Sequence, residues 1–372
     1  MAAASETIQA IDRLTPLAEV LAMLDPGVRP VTPRTLDVTV AGQRVLAVDA
    51  VAPARPNSPI ALQDGWALAA DATLGAGGYA PTLLAHAPQR IETGQAMPPD
   101  TDSVAQFDAV KVTRERAEAL VTVNPGDGVL PAGGDCDPAL PLRRAGERLR
   151  LADLATLSAA GLTRVTVREP RIRVLPLRGN GIIVAAARLV ASDIEARGGT
   201  VRLDDSGRNL GVVLADDNAD AIVVIGGTGS GRNDTSVQTL AREGEIAVHG
   251  IALTPGETSA LGFVGHRPVL LLPGRLDAVL AAWLVVGRRL LARLAGTHEH
   301  DPGVTATLAR KVSSTVGLAE FIPVRRSGVG VEPLAAKYLP LSALARADGW
   351  ILVPAESEGY PAGTAVAVRA WP

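Results

Sequence analysis

Between Arg171 and Gly296, short runs of apolar, mostly β-branched residues alternate with stretches of helical spacing, which restricts this part of the chain to folds built on a parallel sheet. Strands are predicted at Ile172–Leu175, Val201–Leu203, Ala221–Ile225 and Val269–Leu272. Helices are predicted at Ile182–Arg197, Leu210–Ala215, Thr235–Arg242 and Leu276–Leu294, the last preceded by Pro273-Gly274. A strand that is apolar at every position must be covered on both faces, so the segment is read as a doubly wound α/β domain.

The flanking regions follow other periods. From Thr7 to Leu24, apolar residues recur at Ile8, Ile11, Leu14, Leu17, Val20, Leu21 and Leu24, predicting an amphipathic helix closed by Asp25-Pro26-Gly27. Between Val31 and Thr122 the runs are short and broken by Pro and Gly, as in a β-rich unit. Helical spacing returns at Leu151–Ala160, and Arg164–Val167 reads as a short strand. After Gly296 the segment His298-Glu299-His300-Asp301-Pro302-Gly303 reads as a linker into a small terminal β domain. The expected organisation is therefore an α/β multidomain protein: residues 1–30 and 134–169 form a split helical unit, 31–133 an inserted β-rich domain, 170–297 the α/β domain and 298–372 a C-terminal β-barrel-like domain.

Composition excludes several classes of function. The 372 residues carry 36 basic and 39 acidic side chains, a net charge of -3, so no basic field for nucleic acid exists. Lysine occurs only at Lys111, Lys311 and Lys337, with arginine supplying the remaining positive charge. The opening residues lack a charged region followed by an apolar core, and the longest apolar stretch, Ala278–Val286, is too short for a bilayer; no membrane role is expected. A single cysteine, Cys136, excludes an internal disulfide and agrees with a cytoplasmic location. Cys136, His249 and His266 have no triad-like context, and the HEHD run is read as solvated rather than metal-binding.

The sharpest local signal is the strand Ala221–Ile225 followed by Gly226, Gly227, Thr228, Gly229, Ser230 and Gly231, then Arg232-Asn233-Asp234 and a helix. A turn of this kind exposes backbone N–H groups at a helix N-terminus, where partial positive charge favours a phosphate or another anion. Asp234 would cap the helix or hold a metal ion. The same glycines also serve a turn that merely has to be tight, and the run by itself allows both readings. It matches neither the dinucleotide fingerprint nor the P-loop, because no Gly-Lys-Ser/Thr follows.

The run Gly226-Gly227-Thr228-Gly229 with the following Asp234 resembles the pterin-binding loop of the MogA/MoaB and MoeA proteins. Gln63-Asp64-Gly65-Trp66-Ala67 is similar to the MoeA segment Met-Asp-Gly-Tyr-Ala, and Ile91 to Pro98 to Ile-x-Thr-Gly-Ala-x-x-Pro. Gly133-Gly134-Asp135 resembles the Gly-Glu-Asp-Ile turn. Pro255-Gly256 and Leu272-Pro273-Gly274 stand where the family has Pro-Gly-Lys-Pro and Leu-Pro-Gly-Asn-Pro. Glu320 to Arg325 and Ala347 to Ile351 look like its final-domain signatures. The resemblance to the MoeA and gephyrin E-domain family therefore spans nearly the whole chain, and it implies a MogA-like α/β domain.

The resemblance also implies a function: insertion of molybdate into adenylated molybdopterin with Mg²⁺, releasing AMP, at a site between the subunits of a homodimer. A MogA-type adenylyltransferase or a molybdoenzyme would be its protein partners. Asp64 and Thr93 would face the site, Asp204 and Asp234 would hold the metal or a phosphate, and Arg325 and Ser342 would meet oxyanions. Gly226 to Gly231, Pro255, Gly256, Pro273 and Gly274 would line the pterin pocket. The bland readings are a turn at Asp64 and a surface ion pair at Arg325.

Departures from the pattern matter as much. Where the family has lysines before and within Pro-Gly-Lys-Pro, this chain has Gly250, Thr254 and Glu257, and its Thr-Gly-Asp-Glu-Leu is replaced by Leu177-Arg178-Gly179-Asn180. Arg178 and Arg275 are candidates to restore the lost charge. The alternative to a transferase is a catalytically impaired relative that binds, stores or delivers molybdopterin.

Overall fold

A computed structural model describes residues 9–114, 116–205, 207–298, 301–328 and 330–372. Its centre is the α/β domain. The strands are β1 (Arg171–Pro176), β2 (Thr200–Leu203), β3 (Ala221–Ile225), β4 (Glu245–His249), β5 (Ile251–Thr254), β6 (Ala260–Val264) and β7 (Arg267–Leu272). Six of them form one sheet in the order β2-β1-β3-β7-β6-β4, with β2, β1, β3 and β7 parallel to one another, β6 antiparallel to β7 and β4 antiparallel to β6. All four predicted strands are present; β4 and β6, which the sequence reading lacked, extend one edge.

Alternation along the strands explains the double cover. Ile172, Val174, Val223, Ile225, Leu270 and Leu272 face a core shared with α1 (Gly181–Ala196) and the helical run 276–294. Leu175, Ile222, Val224, Val269 and Leu271 face the opposite core with α2 (Leu210–Ala215) and α3 (Ser236–Glu243). Successive residues of a strand point to opposite faces, so a wholly apolar strand is stable only between two layers of helices.

The run 276–294 is interrupted by a π turn at Trp283–Gly287. A π turn widens the helix by a residue, and here Trp283 and Arg288 reach one carboxylate on α1. Asp193 accepts Trp283 Nε1 at 2.8 Å and Arg288 Nε at 2.9 Å on one oxygen, and an Arg288 guanidinium nitrogen at 2.6 Å on the other. Gly287 is required because a Cβ there would collide with the Trp283 ring.

The N-terminal helix is shorter than its spacing implies. Residues 1–8 lie outside the described part, 9–14 are irregular, Thr15–Pro16 is a strand and the helix spans Leu17–Gly27. Pro16 has no N–H to donate and disfavours helix in the residue before it, so helical spacing upstream of it is not used by a helix. At the other end Asp25-Pro26-Gly27 closes the helix and forms its last three residues. Leu17, Val20 and Leu24 join the same core as Trp283, Phe321 and Trp350.

The sheets cross the expected domain limits. Arg34–Asp37 and Val45–Leu46 pair with Arg164–Arg168, and Val38, Leu46, Leu149, Leu157 and Val167 share one core. Residues from 34 to 50 thus pack with the second half of the split unit, and the inserted unit consists of the small sheets between them, including Gly65–Leu68 flanked by Gln89–Ile91 and Ser103–Ala105. Strand β5 leaves the α/β sheet and pairs in parallel with Thr15–Pro16 on one side and with Ala319–Ser327 on the other, entering the C-terminal sheet. Cys136 packs beside Ala52 and Ala160. Among the described residues no helix is long and apolar enough to cross a membrane.

Burial pushes the Asp193 carboxyl up, but the Arg288 guanidinium, the Trp283 N–H and Arg197 outweigh it and hold the group below the usual carboxylate range. A depressed folded-state value contributes stability above the unfolded value near 3.9 and loses it as pH falls through the folded one. Asp193→Asn leaves Arg288 buried without its counter-charge and should destabilise by about 3–5 kcal/mol at neutral pH. Urea unfolding at pH 7 and again near pH 3 checks it, the difference between variant and wild type shrinking in acid.

Candidate functional site

In an open α/β sheet, ligands bind beyond the carboxyl ends of the strands where the strand order reverses. That point lies between β1, whose following helix leads outward to β2, and β3, from which the sheet grows the other way. The loops after β1, β3 and β7 meet there. Leu177 N donates to Ile225 O at 3.0 Å and Gly226 N to Leu272 O at 2.8 Å. A Cβ at Gly274 would sit 3.8 Å from Gly226 Cα and 3.5 Å from Ile183 Cδ1.

Backbone geometry accounts for the first two glycines of the loop. Gly226 and Gly227 have φ of 101° and 75°, a region L side chains rarely enter. A Cβ at Gly227 would also come within 2.9 Å of Leu177 Cδ1. Beyond them the loop has an inner and an outer half. Thr228 is only 2% exposed and its hydroxyl lies 2.9 Å from that of Thr258. Ser236, on the first turn of α3, donates its hydroxyl to Gly227 O at 2.6 Å. Ser230 and Gly231 are exposed. The inner half is therefore closed by its own hydrogen bonds, and contact with a ligand belongs to the outer half.

Arg178 reaches the loop from the β1 side. Its guanidinium donates to Asn233 O at 2.7 Å and to Asp234 Oδ1 at 3.1 Å, while Gly231 N donates to Asp234 Oδ2 at 3.3 Å. Asp234 thereby ties the loop's end to Arg178. Next to it, a cavity of about 500 Å³ is lined by Leu177, Asn209, Gly211, Thr235, Ser236 and Arg242, between the starts of α2 and α3. Asn180 caps α1 through Ile183 N at 2.8 Å, closing the loop after β1.

The segment between β5 and β6 carries Pro255 and Gly256. Thr254 donates its hydroxyl to Glu257 Oε1, and Gly256 N donates to Glu257 Oε2 at 3.0 Å. After β7, Pro273-Gly274 leads to Arg275, which pairs with the buried Asp277 through Nε at 3.1 Å and lies 5.1 Å from the centre of the Tyr338 ring. The hydrogen bond to Asp277 raises the Arg275 pKa against a smaller opposing effect of burial, and the Asp277, Glu257 and Tyr338 charges add to it. Asp277 also accepts Leu339 N at 3.2 Å, linking this loop to the C-terminal domain.

The remaining site residues fall into separate groups. Asp64 and Thr93 meet: Asp64 Oδ1 accepts Thr93 N at 2.8 Å and its hydroxyl at 2.9 Å, on the exposed surface of the inserted unit. Those two bonds, the backbone one first, hold the Asp64 carboxyl below its ordinary value. Arg325 pairs with Glu332 at 3.0 Å, and Glu332 also meets Arg310, so the surface ion pair is the arrangement observed. Ser342 is exposed on the short helix Leu341–Arg346, its carbonyl accepting Arg346 Nε at 3.1 Å.

Asp204 is 4% exposed and bound by the buried Arg173, with Arg202 and Arg208 at 3.8 and 3.6 Å. Asp234 is bound by Arg178. Carboxylates already neutralised by guanidinium groups do not fit a Mg²⁺ ion, which needs several free oxygens around it. Among the described residues no group of three His, Cys, Asp or Glu side chains is arranged to hold a metal. Two residues of the HEHD run, 299 and 300, lie outside the described part.

Sequence reasoning missed Gln9 and gave His249 no role. Gln9 lies in a stretch whose spacing reads as helix, and His249 is an isolated histidine; neither carries a local signal. Burial lowers the His249 pKa, against opposing contributions from the Thr228 backbone and Asp12, and its Nε2 is buried without a hydrogen-bond partner. A histidine held neutral when folded loses stability as pH falls through the unfolded value near 6.5. NMR titration should therefore find His249 titrating below a free histidine, and between pH 7 and 5 the wild type should lose more stability than His249→Gln.

Residues 9–161 match the family model "MoeA N-terminal region (domain I and II)", residues 180–293 "Probable molybdopterin binding domain" and residues 305–371 "MoeA C-terminal region (domain IV)". Molybdopterin molybdenumtransferase 1 of Mycobacterium tuberculosis is 27% identical over 314 residues, 75% of this chain and 73% of the relative. The crystal structure of a molybdopterin biosynthesis MoeA protein from Pyrococcus horikosii superposes with a TM-score of 0.78 at 26% identity, covering 97% of this chain and 100% of that one.

Proposed function

Because the chain belongs to the MoeA family and with it to molybdenum cofactor biosynthesis, we propose that it is a molybdopterin molybdenumtransferase, inserting molybdate into molybdopterin presented as its adenylate. The observation that supports this reading is the glycine loop at the switch point of the sheet, its outer half open beside Arg178 and the cavity under α2 and α3. Peptide N–H groups on a loop that runs into α3 suit the pterin's phosphate, and the cavity next to them has room for the rest of an adenylated ligand. Arg178 reaches the glycine loop and Arg275 follows the loop after β7, and each supplies a guanidinium suited to an oxyanion. In the reaction the two dithiolene sulfurs would displace an oxygen ligand of molybdate, which leaves with their protons as water, and a water molecule would cleave the phosphoanhydride, so that AMP departs and the phosphate stays on the pterin. With Asp204 and Asp234 held by arginines, no step is assigned to a metal ion.

Asp64 and Thr93 form an exposed pair whose hydrogen bonds hold the carboxyl below its ordinary range, which suits polar groups presented to a cleft shared by two copies. A homodimer is part of this proposal, and light scattering at micromolar concentration tests it.

A second reading has its own support. Both arginines already hold carboxylates, and Glu257 adds negative charge between β5 and β6. An anion entering here meets less net positive charge than two guanidinium groups would supply, so binding and delivery of molybdopterin without turnover is the alternative. The two separate in one assay. Purified protein with adenylated molybdopterin, Mg²⁺ and molybdate should release AMP over many turnovers. Binding without AMP release favours delivery, and calorimetry without heat for molybdopterin or its adenylate overturns both. Arg178→Ala and Arg275→Ala should each weaken molybdate binding about tenfold, the scale of one charge-assisted hydrogen bond. Unchanged affinity in both variants would sink their assigned role.

A further inference from the structure

The glycine loop is held from behind by a residue far away in sequence. Gln9 is 8% exposed, and its Nε2 donates to Gly227 O at 2.8 Å and to Gly229 O at 2.7 Å. Its Oε1 accepts Val237 N at 3.2 Å, an amide of the first turn of α3. Both hydrogens and the oxygen of one carboxamide are thus used on the loop and on the helix that follows it. No other side chain reaches two carbonyls of the loop among the contacts described.

Peptide geometry turns this contact into a statement about the opposite face. In a planar trans peptide the carbonyl and the N–H of the next residue point in opposite directions. The Gly227 carbonyl is held by Gln9 together with the Ser236 N–H and hydroxyl, and that of Gly229 by Gln9, so the Ser230 N–H must point away from the carboxamide. The glycines on either side permit many other orientations, since they restrict the backbone least. A loop able to bind an anion needs its N–H groups convergent before the ligand arrives, and the carboxamide selects that arrangement.

The segment carrying Gln9 is itself fixed in place. Thr15 N donates to Gly250 O at 2.9 Å, and Thr15 and Pro16 pair with Ile251 and Ala252. Ile11 lies against Gly250, where a Cβ would overlap its side chain and also approach Arg13 O to 3.2 Å. Gly250 has φ of 95°, so the position suits glycine on two counts.

We propose that Gln9 is a positioning residue of the anion loop, setting the direction of the Ser230 N–H group at the start of its open half. The idea rests on the molybdopterin reading for its ligand and on the hydrogen bonds alone for its mechanism. Two full-length variants test it. Gln9→Met keeps the length of the side chain and removes both donors, and Gln9→Glu puts a carboxylate against two carbonyls.

Hydrogen exchange without ligand and calorimetry with molybdopterin are then measured at a temperature where every variant is folded. Amides of residues 227–231 should exchange about tenfold faster in Gln9→Met, and faster still in Gln9→Glu, with β1 and β3 unchanged. The molybdopterin Kd should rise about tenfold in parallel. Loop exchange equal to wild type in both variants overturns the proposal, as does faster exchange with unaltered Kd. Wild-type protein that binds no molybdopterin sinks the functional reading instead, and the exchange rates still decide whether Gln9 orders the loop.

Discussion

Burial of the parallel sheet on both faces is the constraint from which the rest follows. Ala221 to Ile225 offer no polar side chain to either layer of helices, so chemistry is confined to the carboxyl ends of the strands, where backbone leaves the sheet. The loops after β1, β3 and β7 emerge side by side there, and the small residues Gly226, Gly227 and Gly274 let them approach within van der Waals distance. A larger side chain at any of these positions would separate the loops before it altered any ligand contact.

Electrostatics within this chain is organised by arginine. Asp193, Asp204, Asp234 and Asp277 each meet at least one guanidinium, and three of them are buried. The planar fork of arginine satisfies both carboxylate oxygens at once, which makes burial of the pair tolerable where a lone charge would not be. The consequence for the site is a set of carboxylates that serve architecture. Their charge is matched within the protein, and an incoming anion meets backbone N–H groups together with guanidinium groups that already have partners.

Much of this was legible in the residues. The four parallel strands and the helices around them lie close to their predicted limits because their apolar periods are long and uninterrupted. Gly226 to Gly231 was recognisable by its place after a buried strand, and Cys136 by its lack of partners. The N-terminal helix starts later than its spacing implies because spacing alone does not register what Pro16 does to the residues before it. Strands β4 and β6 escape the sequence pattern because an antiparallel edge has a weaker one, partly exposed in β4 and interrupted by Gly262 in β6.

The layered core, the glycine turn at its mouth and the likeness to a family are all written in local order: period, turn residues and short motifs. Which charges remain available, and what holds the loop, is settled by contacts between distant parts of the chain. Asp204 and Asp234 looked like metal ligands until Arg173 and Arg178 came to lie on them, and Gln9 gained its place more than two hundred residues from the carbonyls it binds. Pairings across such separations depend on how β5 and its neighbours fold together, and no local pattern encodes them.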